Sequence, residues 1–91
     1  MSSRVIAARA RVKSAREKHA VAKHTFQQTD ALKSEIIESF LALGFSLETA
    51  EQLYKGCYQA ADVALAEALN ELEAANEDLD QVDPRPTIPT A

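Results

Sequence analysis

Ninety-one residues make one domain near the lower end of what folds alone, and ten basic against fourteen acidic side chains leave a formal charge of −4. Ala, Glu, Leu, Lys and Arg dominate, with two glycines, three prolines and few aromatics, which is the profile of long helices and coiled coils. The single cysteine, Cys57, excludes an intrachain disulfide, and no apolar run approaches the ~20 residues that a membrane span requires.

From Ser2 to Leu43 there is no glycine or proline, which predicts one helix over about 2–43. Its weakest stretch is Gln27-Gln28-Thr29-Asp30, where a kink or a recapped third helix is the alternative. The apolar period passes through that stretch without a phase jump and favours continuity. Val5, Val12, His19 and Phe26 recur every seven residues, with Ala8, Ala15 and Ala22 each three residues further on. These are the a and d positions of a narrow two-helix seam. Residues 1–29 hold seven of the ten basic side chains: Arg4, Arg11 and Lys18 fall at g, Arg9, Arg16 and Lys23 at e, and Lys13 lies off the seam.

Gly44 suits the residue after a helix end, and Ser46 suits the N-cap of the next helix with Glu48 in its first turn. A turn over 44–46 is therefore predicted, then a second helix over about 47–82. In it Leu65, Leu72 and Leu79 take a, while Ala68, Ala75 and Val82 take d. Residues 62–83 carry eight acids and no base, with Glu71 and Asp78 at g and Asp62 and Asp83 at e. A chain reversed at the turn sets g against g. Lys18 then meets Glu71, Arg11 meets Asp78, and on the other flank Arg9 meets Asp83. The fold class expected is all-α: two long antiparallel helices in a coiled-coil-like hairpin spanning residues 1–83. Pro84, Pro86 and Pro89 stop the second helix and leave residues 84–91 as an extended tail.

Nearer the turn the apolar stripe widens. Leu32, Ile36, Ile37, Phe40, Leu41 and Leu43 on one side, and Leu47, Ala50, Leu53, Tyr54, Cys57 and Ala61 on the other, exceed what a two-helix seam buries. A second contact surface is expected there, filled by a homo-oligomer or another protein. Its candidate residues are Ile37, Leu41, Leu53, Tyr54 and Tyr58, with Leu69 further along and Ile88 in the tail. Leu41-Ala42-Leu43-Gly44-Phe45, followed by Ala50 and Leu53, resembles the loop and second helix of ubiquitin-associated domains. Leu43 replaces the usual Met, the gap to Val63 is longer, and the last helix runs past the usual end, so the hairpin reading is kept.

Chemistry-bearing constellations are not found. His19 and His24 stand five apart, ~140° around a helix, and do not chelate as an i,i+4 pair does. Cys57 has no second cysteine and no base near it in the hairpin register, so a core thiol is expected. Gly56 beside it marks a kink or a close approach by another backbone. The acids of the second helix form neither a calcium loop nor a catalytic pair. No enzyme activity, metal or cofactor is implied. The expected function is that of a non-enzymatic structural or adaptor subunit that binds other proteins in an assembly, as phage accessory proteins and secretion-type chaperones do. The alternative is a small nucleic-acid-binding regulator using the basic half. With no signal-type apolar block, the expected location is the cytoplasm or a particle assembled there.

Overall fold

The computed structural model describes residues 3–83. The expected extended tail, Ile88 included, lies outside them. The described residues are helical and contain three helices: α1 (Ser3–Ala31), α2 (Lys33–Ala42) and α3 (Leu47–Val82). The molecule is an elongated slab, 59 × 34 × 14 Å.

Helix α1 packs on α3 in antiparallel order. Going up α1, Arg9, Lys18, Phe26 and Thr29 meet Asp83, Glu71, Tyr58 and Tyr54 in turn. The heptad decides which side chains meet. In α1 the residues shielded from water are Val5, Ala8, Val12, Ala15, His19, Ala22, Phe26 and Thr29, and every other described position is exposed. The facing line on α3 runs through Tyr54, Tyr58, Ala61, Leu65, Ala68, Leu72, Ala75 and Leu79. Alanines occupy the centre of this seam: Ala15, Ala61, Ala68 and Ala75 are buried, and Leu72 and Leu79 pack around Val12, Ala15 and Ala75 from the edges. Small residues let the helix backbones approach closely, at the cost of little apolar area per layer.

The single helix expected over 2–43 is corrected to two. The chain leaves helical geometry at Leu32, with φ −100° and ψ 24°, and no glycine or proline is responsible. Two side chains account for the break. Thr29 Oγ1 donates back to the Thr25 carbonyl at 2.8 Å, a bond that bends helices. The Thr29 carbonyl accepts the Tyr54 hydroxyl of α3 at 2.9 Å, at the point where an unbroken helix would give it the N–H of Lys33. A tertiary hydrogen bond thus takes the place of a helical one. The Leu32 amide still reaches Gln28, and the Leu32 carbonyl already serves Ile36, so α2 restarts at once in a new direction.

The turn follows from local chemistry. The Gly44 amide donates to Leu41 and the Phe45 amide to Phe40, a Schellman closure with Gly44 at φ +99°. Phe45 then packs edge-on against Phe40, ring centroids 6.1 Å apart, as the apolar contact of that motif. Ser46 caps α3 by accepting the Thr49 amide at 3.2 Å. From there α3 runs unbroken through Gly56 to Val82. This single long helix ends the resemblance to ubiquitin-associated domains at the turn.

Candidate protein-interaction surface

The turn end is where apolar side chains are left over. A helix end closed by a glycine turn spends its backbone groups on itself and has no further layer to cover its side chains. Leu43 is 74% exposed, Leu47 56% and Phe45 44%, with Leu41 and Leu53 also in water. Of the residues singled out from the sequence, Ile37 is half-buried between α2 and α3, while Leu41 and Leu53 lie open near the turn. Leu69 is exposed on the side of α3 away from them.

Tyr54 and Tyr58 serve the chain itself. Tyr54 is buried and fixes the α1–α2 break. Loss of water around the hydroxyl, together with the nearby Asp30 carboxylate and Tyr58, pushes it above the usual phenol value. The Lys33 ammonium sits 5.7 Å from the centre of the Tyr54 ring. Tyr58 packs on Phe26 at 5.1 Å and on Tyr54 at 6.3 Å. These rings tie α3 to the end of α1, and Lys33 brings in the start of α2.

At the opposite end the helices are joined by charge. Arg9 Nη2 lies 2.9 Å from Asp83 Oδ2, Lys18 Nζ lies 3.2 Å from Glu71 Oε1, and Arg11 is paired with Asp78. All six side chains remain largely in water, so each pair contributes about 0.2–1 kcal/mol and chiefly fixes register.

Among the described residues no three His, Cys, Asp or Glu side chains gather in a group able to hold a metal ion. His19 is half-buried in the seam and His24 faces water. Cys57, expected in the core, is exposed, because it falls at g on the flank of the seam and not within it. Gly56 has open space where a Cβ would stand, so among the described residues nothing approaches it closely. No helix among the described residues is long and apolar enough to cross a membrane.

Sequence reasoning passed over one surface. Val21, 67% exposed, stands with Ala22 and Thr25 of α1 and Ala61 and Ala64 of α3 along an apolar groove of about 450 Å³ on the g side of the slab. Its signal was a second heptad in the sequence, Leu53, Cys57, Ala60 and Ala64, running beside the seam positions. Comparison of the chain with protein-family profiles, with curated proteins and with solved structures finds no match.

Proposed function

We propose that this protein is a non-enzymatic helical adaptor or structural subunit whose task is contact with other proteins. The observation that carries this reading is the uncovered apolar end at the turn. Leu43, Leu47 and Phe45 stand in water on a rigid, fully capped reversal, and each such side chain gains about 1.5–3 kcal/mol on burial. A well-capped turn that exposes its largest apolar residues is a preformed knob, and ordering it costs a partner little. Two antiparallel arms, held in register by charge pairs, would set that knob at the end of a long rod. The test is capture of interacting proteins from the source cell by the tagged full chain, against a variant carrying Leu43→Asp and Leu47→Asp. Partners retained by the parent and lost by the variant support the reading; an identical set on both removes it.

A second reading has one observation in its favour. Lys13, Arg16 and Lys23 on α1 make no ion pair among the described residues, and phosphate contacts need only such side chains. Binding of labelled duplex that falls steeply with added salt, and falls again on Arg16→Ala with Lys23→Ala, would favour nucleic acid over protein as the partner.

A further inference from the structure

The g side of the slab has a composition that changes along its length. Toward the open end it carries the Arg11–Asp78 and Lys18–Glu71 pairs. Toward the turn the equivalent places hold Thr25 opposite Ala64 and Leu32 opposite Cys57. Leu53 and Ala60 precede Ala64 by eleven and four residues, so helix geometry strings all three along one flank of α3. Val21 lies on the matching flank of α1, Leu32 stands at the break just beyond that helix, and both are exposed. The result is a shallow groove floored by Ala22, Ala61 and Ala64 with Val21 at its margin, and Leu53 stands exposed further along the same flank of α3 toward the turn.

We propose that this flank is the interface of a symmetric dimer, in which two copies lie face to face with their turn ends together as a four-helix bundle. The inference rests on the reading that the chain works by protein contact, and it names the first partner as a second copy of itself. Charge selects the occupant and its orientation. Helix α1 carries seven bases against two acids, and α3 carries nine acids against one base. A two-fold axis parallel to the helices lays the basic α1 of each copy on the acidic α3 of the other and makes neighbouring helices antiparallel. An axis across the helices would set α1 on α1 and α3 on α3, like charge on like. In the first arrangement, residues that pair within one hairpin also stand level with their counterparts in the other. Lys18 therefore approaches the acidic side chain of its own copy and that of the second, while the small residues below allow the close packing that Val21 and Leu53 fill.

Sedimentation equilibrium of the purified full chain over micromolar concentrations tests the stoichiometry. A dimer is expected, weakened at least tenfold by Leu53→Asp and again by Ala64→Glu, and unchanged by Leu69→Asp on the other flank. Because Leu53 and Ala64 are exposed, circular dichroism should show each variant as helical as the parent. Spin labels at Ala74→Cys, in a Cys57→Ser background, test the orientation. Turn ends together keep the two labels level and within about 25 Å, whereas the crossed dimer separates them by roughly 40 Å along the axis at 1.5 Å per residue. A monomer at all concentrations, a dimer indifferent to Leu53 and Ala64, or the longer label separation overturns the proposal. A monomer that still captures other proteins would sink this inference and leave the adaptor reading standing. A dimer of this geometry that captures none would do the reverse.

Discussion

The two glycines of the chain occupy opposite backbone situations and should respond to the same substitution with opposite signs. Gly44 sits at φ +99°, a conformation that a Cβ penalises, in a turn with no neighbour within 4 Å to blame instead. Gly44→Ala should therefore destabilise by about 1–2 kcal/mol through backbone strain alone. Gly56 lies inside α3 with equally open space around it. Gly56→Ala should stabilise by about 0.5–1 kcal/mol by restricting the unfolded chain and improving helix propensity. Urea denaturation of the two variants reads both; a loss at Gly56 would mean that something outside the chain packs there. Tyr54 supplies a pH-dependent counterpart. Its hydroxyl titrates above the ordinary phenol value of 10.0 in the folded state, so above that value the unfolded chain releases a proton that the folded chain retains. Stability from this group is complete below pH 10 and is lost as pH rises further. Tyr54→Phe should lower the urea midpoint at neutral pH, since the Thr29 carbonyl loses its partner, and should narrow its gap to the parent above pH 10. A gap that stays constant with pH would contradict the role given to that hydroxyl.

At the scale of elements, the Lys18–Glu71 pair offers a cycle that reads register directly. Lys18→Glu and Glu71→Lys each set like charges opposite one another, where the paired groups now stand 3.2 Å apart, and should destabilise singly. Together they restore the pair, with a coupling of about 0.2–1 kcal/mol that shrinks at high salt. Strict additivity would mean that the two arms do not hold this register in solution. The seam itself was legible in the sequence because seam burial is periodic: the a and d residues of α1 are the ones the structure shields. The turn was legible for a different reason, since Gly44 and Ser46 act through local backbone geometry. The interruption at Leu32 was legible only as an alternative, a kink or third helix at the weak stretch 27–30, and continuity was favoured over it. The apolar period crosses it unbroken, and part of its cause is the Tyr54 hydroxyl, which takes up the Thr29 carbonyl from twenty-five residues further along the chain. The exposed Cys57 was missed because the wide stripe near the turn was treated as one face, whereas helix geometry splits it into the buried line through Ala50, Tyr54 and Ala61 and the open flank through Leu53 and Cys57.

The molecule as a whole is short of core. Among the described residues the buried side chains are Val12, Tyr54 and five alanines, and no large side chain is fully enclosed. Alanine layers permit close helix packing but bury little area, while Leu47, Leu53, Val21 and Leu43 remain in water. Ordering so long a slab costs conformational entropy at every residue, and on the proposed reading part of the apolar burial that ordinarily offsets it comes from association. Folding and association should consequently be linked, and the thermal midpoint should depend on protein concentration. Raising the concentration a hundredfold should lift the midpoint by roughly 5–10 °C for a chain of this size if a folded dimer dissociates as it unfolds. Circular dichroism melts at several concentrations measure this. Leu53→Asp should flatten the dependence while leaving the low-concentration midpoint nearly unchanged, because an exposed side chain supports the dimer and not the hairpin. A midpoint fixed across concentrations would show that the alanine seam and its rings hold the fold unaided, and would reserve the apolar flank and turn for a different protein.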